Sequence, residues 1–245
     1  MSFSWARVAA IFEKELRDYR RNRFVVIFTM SVLPLIFVAV PIVSLFSIKV
    51  SVTNAKLETS IGRSLLYLLI LPAIMPSVLS AYSVVGEREQ GTLEPLLTTP
   101  IHSEEFLIGK ALAAFLPAVA VAYAIFGIFL GAAAAFAHPA VVSAVFERNH
   151  LLTQLLFTPL LAGWSIWVGI AVSTRVSDLR AAQQLSVFAS LPPVAIVALF
   201  SFNVITPSLG LALGLATALL AIDGLAWRVV AAMFDREQLV SGTRS

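Results

Sequence analysis

Six long apolar runs divide this chain, separated by short polar connections. A helical membrane crossing needs about 20 mostly apolar residues. On that measure the runs predict spans at roughly 24–48, 64–85, 111–136, 151–173, 183–203 and 207–230. The connections fall at about 49–63, 86–110, 137–150, 174–182 and 204–206. No internal repeat, low-complexity linker or loop large enough for a soluble domain interrupts the pattern. The expected organisation is one membrane domain over 24–230, a helix over 1–23 before it and a tail over 231–245 after it.

The segment before the first span has its own periodicity. Trp5, Val8, Phe12, Leu16 and Tyr19 recur at three- and four-residue spacing, which lines them up on one helix face. Arg7, Lys14, Arg17, Asp18 and Arg21 lie largely off that face. Such a helix can lie in the membrane interface, apolar side toward the acyl chains and basic side toward anionic headgroups. The plainer alternative is a flanking segment that only sets orientation.

Composition agrees with the pattern. The 245 residues are 59% hydrophobic and only 13% charged, with mean hydropathy +0.91, whereas a soluble domain is about a quarter charged. The absence of cysteine excludes a disulfide scaffold and thiolate metal sites. No cleavable signal peptide is apparent at the N-terminus. The net charge is only +3, yet the basic residues are unevenly placed. Of the 17 Lys and Arg, all but Lys49, Lys56, Arg63 and Arg148 fall on one side of a six-span topology. By the positive-inside rule that side is cytoplasmic and carries both termini. The positive excess thus orients the chain, and no nucleic-acid partner is needed.

Prolines sit inside the predicted spans: Pro34, Pro41, Pro72, Pro76, Pro117, Pro159, Pro192 and Pro193. Each removes a backbone donor, and in lipid the freed carbonyl must find a partner inside the protein. As a set they suit a bundle that bends; singly they are ordinary membrane-helix prolines.

Several chemistries are missing. Ion-coupled transporters place ionisable residues in the bilayer core, and here the spans are almost free of charge. Asp223 is the exception. It is expected toward the cytoplasmic end of the last span, paired with Arg228 or another interfacial neighbour. His102, His138 and His150 are scattered and form no H-E-x-x-H set. No nucleophile elbow occurs. Around Gly109-Lys110 the P-loop pattern fails, with Glu104 where its first glycine belongs and Ala111 in place of Ser or Thr. Nucleotide energy, if used, must come from another subunit.

The most punctuated stretch is "GEREQGTLEPLLTTP", Gly86 to Pro100. Thr92 is a good N-cap, Leu93, Glu94 and Pro95 fit a first turn, and Leu93, Leu96 and Leu97 share a face. Pro100 stops the helix, and Ser103 can cap the next, with Glu104 and Glu105 in its first turn. The connection 86–110 is acidic: Glu87, Glu89, Glu94, Glu104 and Glu105 against Arg88 and Lys110. A lipid-hugging helix on the cytoplasmic leaflet should be basic. An acidic one with exposed leucines projects toward a partner protein, unless the leucines tuck under its own bundle.

The run "GEREQGTLEPLLTTPIHSEEFLIGK" resembles the signature of ABC-2 type transporter permeases, the six-span membrane subunits of ATP-binding-cassette exporters. The matching residues are Glu87, Arg88, Glu89, Gly91, Thr92, Leu93, Glu94, Leu96, Leu97, Thr99, Pro100, Gly109 and Lys110. Weaker likeness extends to "EKELRDYRRNR" near the N-terminus, "AAQQ" at Ala181–Gln184 and "FDREQLV" at Phe234–Val240. The resemblance implies a short cytoplasmic coupling helix between spans two and three, with Glu87, Arg88, Glu89, Gly91, Thr92, Leu93, Glu94, Leu96, Leu97, Thr99 and Pro100 as the ATPase-coupling residues. It implies a partnership with two copies of an ABC ATPase subunit and a second permease subunit, identical or homologous, among membrane lipids. ATP and Mg would bind in the ATPase; this chain would hold no cofactor and no catalytic residue. It also implies export across the cytoplasmic membrane, of polysaccharide, drugs, peptides, lipid or sodium ions; the scattered aromatics Phe115, Tyr123, Phe126, Trp164 and Trp167 suit a drug or amphiphilic small molecule, and suit helix packing and interfacial anchoring as well. Some members carry a large external domain between the first two spans, which the short 49–63 connection cannot hold. A membrane anchor that recruits a cytoplasmic protein without moving anything is the rival from a different class.

Overall fold

The computed structural model describes residues 3–23, 25–47, 54–82, 84–89, 91, 102–202 and 209–233. These residues are all helical or connecting, and none is in a strand. Helix α1 (Trp5–Arg21) precedes a π-helical stretch (Val25–Val32) that runs into α2 (Leu33–Ser47). Then come α3 (Asn54–Ala81), the short α4 (Val85–Glu89), α5 (Ser103–Phe136), the short α6 (Pro139–Val145), α7 (Arg148–Arg175), α8 (Leu179–Ser201) and α9 (Leu209–Met233). Six segments are long and apolar enough to cross a membrane, and each overlaps one of the six predicted runs. The protein is a multi-pass membrane protein.

Helix α3 is the axis of the bundle. Its apolar window is 76% buried, against 17% for the last span. It packs on α2, α5, α7 and α8. Close approach there depends on small residues, as expected where lipid supplies no hydrophobic drive between helices. A Cβ on Gly169 of α7 would fall 1.9 Å from Ser80 Oγ of α3. A Cβ on Gly62 of α3 would fall 2.6 Å from the Ser201 carbonyl of α8. One apolar core joins α1, α2, α3, α5 and α7; a second joins α3 and α7 to α8 and α9. The two share α3 and α7, and α9 reaches both, through Val230 in the first and Ala216 and Leu219 in the second.

The prolines are absorbed without breaking the helices. Pro34 falls in the first turn of α2, where the wider π-helical stretch ends. It lacks the N–H that would bond the Met30 carbonyl in an α-helix. Pro159 likewise frees the carbonyl of Leu155, and the hydroxyl of Tyr123 on α5 donates to it at 2.8 Å. That is the internal partner a proline in lipid requires.

Asp223 departs from expectation. It packs against Gly163 near the middle of the 28-residue α7, where a Cβ would stand 2.9 Å from Oδ2. Its Oδ1 is buried without a hydrogen-bond partner among the described residues. No ion pair joins it to Arg228, which is exposed five residues on. Glycine at 163 leaves room for the carboxylate to turn inward, away from the helix end where Arg228 lies.

Candidate functional site

Helix α5 begins at Ser103, with His102 in the cap position, so Ser103 is the first helical residue rather than the cap. Glu104 and Glu105 occupy the first turn as expected, where a carboxylate complements the positive helix end. Glu105 is fully buried and accepts four hydrogen bonds. The His102 N–H donates to Oε2 at 3.1 Å and the Ser4 N–H to Oε1 at 2.7 Å. Arg7 donates in a fork, Nε to Oε2 and Nη2 to Oε1, both at 2.7 Å. The hydrogen bonds that Arg7 donates to Glu105 raise its pKa. The start of α1 is thereby fastened to the start of α5.

One turn along α5, Gly109 lets α1 cross at close range. A Cβ there would meet Ile11 at 2.7 and 2.8 Å and the Val8 carbonyl at 3.2 Å. The next residue, Lys110, is 3% exposed and lies between two buried carboxylates. Its Nζ donates to Glu15 at 2.7 Å and to Glu87 at 3.0 Å, and stands 5.0 Å from the Phe106 ring centroid. Lys14 closes the cluster, bonding Glu87, Glu15 at 3.1 Å and Asp18 at 3.2 Å. Burial disfavours its charge, but the fields and hydrogen bonds of Glu15 and Glu87 outweigh that and raise its pKa. A cavity of about 390 Å³ reaches the cluster, with Tyr19, Arg21, Asn22 and Tyr82 among its walls. Two lysines against two buried glutamates and Asp18 leave few charges uncompensated, which is what makes such burial tolerable.

Four of the predicted coupling residues, Glu87, Arg88, Glu89 and Gly91, lie among the described ones. Glu87, in α4, is 4% exposed and enters the ion cluster. Glu89 ends α4 and turns the other way: its Oε1 accepts the N–H of Leu179, the first residue of α8, at 3.2 Å. Asp178 assists at that helix start by accepting the Ala181 N–H at 2.7 Å. Arg88 lies in α4 between them. Gly91 follows with φ of 68°, a left-handed conformation that suits glycine after a helix end. Thr92, Leu93, Glu94, Leu96, Leu97, Thr99 and Pro100 lie outside the described residues, as does the tail motif Phe234–Val240.

Helix α1 also differs in its facing. Val8, Ile11, Glu15 and Tyr19 are its buried residues, while Phe12 and Leu16 pack at the edge of the core. Trp5 is 68% exposed and meets Phe3 in an edge contact. The inner face is turned onto α5 and carries a glutamate at its centre. Sequence reasoning placed Arg7 and Lys14 on the solvated side and passed over Glu15. The signal was present: Ile11, Glu15 and Tyr19 share an i, i+4, i+8 register, and a carboxylate in an apolar stripe requires a buried cation. The described residues hold no group of His, Cys, Asp and Glu arranged for a metal ion.

The chain matches the family described as "ABC-2 family transporter protein" over residues 9–234. None of the curated proteins compared with it is a match.

Proposed function

The chain belongs to the ABC-2 transporter family and is a transmembrane subunit of an ABC transporter, and from that premise we propose that it is the permease half of an ATP-driven exporter. It works with a separate ABC ATPase present in two copies and with a second permease subunit, identical or homologous. ATP and Mg²⁺ bind and react in the ATPase. The site is the cytoplasmic membrane, with both termini and the 86–110 segment in the cytoplasm, where the basic residues concentrate. The cargo is an amphiphilic small molecule.

The observation that carries this reading is how the 86–110 segment is tied at both ends. Before it, Glu87 is bonded into the buried cluster and Glu89 holds the first N–H of α8. After it, Lys110 and Glu105 bind α1. A partner that pulls the intervening Leu93, Leu96 and Leu97 acts through buried ion pairs on α4, at the end of span two, and on span three, and through the exposed Glu89–Leu179 hydrogen bond on span five. A loop held only by solvent-exposed bonds would yield instead. The amphipathic α1 moves with it, as a lever whose exposed side meets the headgroups.

The test is co-purification from native membranes in mild detergent, scored for ATP hydrolysis. An ABC ATPase should come with the full chain and be lost when Leu93, Leu96 and Leu97 become serine. In reconstituted vesicles, Glu89→Ala with Leu96→Ala should leave ATP hydrolysis running while transport fails. Full transport by that double variant would overturn the coupling role. A stable subunit with some other cytoplasmic protein and no ATPase would favour the anchor.

A further inference from the structure

The basic side that the sequence predicts along all of α1 shrinks, in the folded chain, to its last turns. Arg7 is spent on Glu105, and Lys14 on Glu15, Glu87 and Asp18. Arg17, Arg20, Arg21 and Arg23 remain. All four are exposed, and none pairs with a carboxylate among the described residues. On this half of α1, Glu15 is buried in the ion cluster and Asp18 is held by Lys14, which leaves Glu13 as the one carboxylate against four guanidiniums. The hollow of about 390 Å³ beside Arg21 adds no further cation, because its two lysines are already bonded to Glu15, Glu87 and Asp18.

The level of these arginines follows from how α1 crosses α5. Ser4 meets Glu105 and Glu15 meets Lys110, so eleven residues along α1 pass five along α5. That is about 16 Å of one helix against about 8 Å of the other. Helix α1 therefore crosses α5 obliquely, and it climbs toward the spanning part of α5 as it runs from Ser4 to Arg21. Its arginine end is the end nearer the bilayer. At Asn22 the backbone is extended and the helix stops. Arg23 is four residues before Ile27, where the first span begins, or about 6 Å of helix. The headgroup layer adds about 5–7 Å to each side of the hydrocarbon core, so Arg23 stands at headgroup level. Arg20 continues the row of Phe12 and Leu16, which pack at the core edge. Its stem can lie on apolar surface while its head reaches the phosphates.

We infer that Arg17, Arg20, Arg21 and Arg23 form a binding site for the phosphates of anionic phospholipids, at the bend between α1 and span one. A basic cluster immediately before a span attracts acidic headgroups. The residue type fits as well. The buried cluster is built on the lysines Lys14 and Lys110, the outer one wholly on arginines, whose planar fork takes phosphate oxygens two at a time. A protein partner would have to enter the headgroup layer to reach Arg20 and Arg23, where lipid phosphates are already present. Bound phosphates hold the far end of the helix whose inner face carries Glu15 to Lys110. That the leaflet is the cytoplasmic one rests on the exporter reading above; the binding itself does not.

Native mass spectrometry of the full chain in neutral detergent tests the site, with dioleoyl phosphatidylglycerol or dioleoyl phosphatidylcholine added in turn. The first phosphatidylglycerol should bind more tightly than phosphatidylcholine, and added salt should weaken it. Arg20→Gln with Arg23→Gln should lower that affinity by roughly fivefold for each arginine removed, and so should Arg17→Gln with Arg21→Gln. Arg175→Gln with Arg180→Gln removes the same charge from two other exposed arginines and should leave the affinity unchanged. A chain that binds both lipids equally overturns the site. So does unchanged affinity in the α1 variants, or an equal loss in the Arg175, Arg180 pair. Displacement of the lipid by soluble glycerol 3-phosphate would assign the arginines to a free anion and overturn it too. No ATPase takes part, so failure here leaves the exporter reading standing, and failure of ATPase co-purification leaves this result standing.

Discussion

Lys110 shows how one buried charge organises its surroundings. It is almost fully desolvated and bonded to carboxylates from two different elements, Glu15 of α1 and Glu87 of α4. Breaking one member of such a cluster leaves the others uncompensated, which costs about 3–5 kcal/mol. Lys110→Met should therefore lower the unfolding midpoint in detergent sharply. Lys110→Met with Glu15→Leu should recover part of the loss, because the double variant removes the orphaned charge as well. An equal or greater loss in the double variant would mean that the cluster is not what holds α1. Gly109, one residue earlier, makes a separate demand of shape. Gly109→Ala sets a methyl at 2.7–2.8 Å from Ile11 and should destabilise by about 1–3 kcal/mol, the usual scale of overpacking. Shortening Ile11 to Ala in the same chain should relieve it, and thermal melts of the four combinations measure the coupling.

At the scale of elements, the helices compensate for one another's irregularities. The carbonyl freed by Pro159 in α7 is taken up by Tyr123 from α5. Tyr123→Phe strands that carbonyl in an apolar setting, at a cost of about 1–3 kcal/mol. Pro159→Ala restores the intrahelical donor, so in that background Tyr123→Phe should be close to neutral. A double-mutant cycle by chemical or thermal unfolding decides it: additive costs would refute the compensation. The start of α8 is a second case. Asp178 and Glu89 together hold the N–H groups of Ala181 and Leu179. Removing the Asp178 cap alone should cost about 0.5–2 kcal/mol of helix stability, read as faster amide exchange at the first turn of α8. The same change should leave the α1 contacts intact.

Across the whole molecule, the two apolar cores share α3, α7 and α9, and the ion cluster fastens α1 and α4 to the first core. Force applied at 86–110 thus reaches α3, α5 and, through Glu89, α8 directly, and α7 and α9 through the shared cores. On this basis Glu87→Gln, which removes charge but keeps size, should reduce the coupling of ATP hydrolysis to transport more than it reduces ATPase binding. The measurement is the ratio of cargo moved to ATP consumed in vesicles. An unchanged ratio with weakened ATPase binding would assign Glu87 to docking instead.

Much of this was legible in the chain alone. Six spans follow from apolar run length, because a bilayer of given thickness demands a given number of residues whatever their neighbours. The helix over Trp5–Arg21 follows from its periodicity, and the family from residues 87–110, whose glycine and prolines punctuate the run at fixed spacing. The tertiary structure alone decided which way the charges face. Arg7, Lys14 and Glu15 look like ordinary residues of an amphipathic helix; their partners Glu87, Glu105 and Lys110 are some 70 to 100 positions away, and sequence spacing on one helix carries no record of such distant pairing. Asp223 is the sharpest instance. Counting residues along α9 set it near a helix end with Arg228, but its fate was settled by Gly163, a residue on another helix whose missing side chain admits the carboxylate into the bundle.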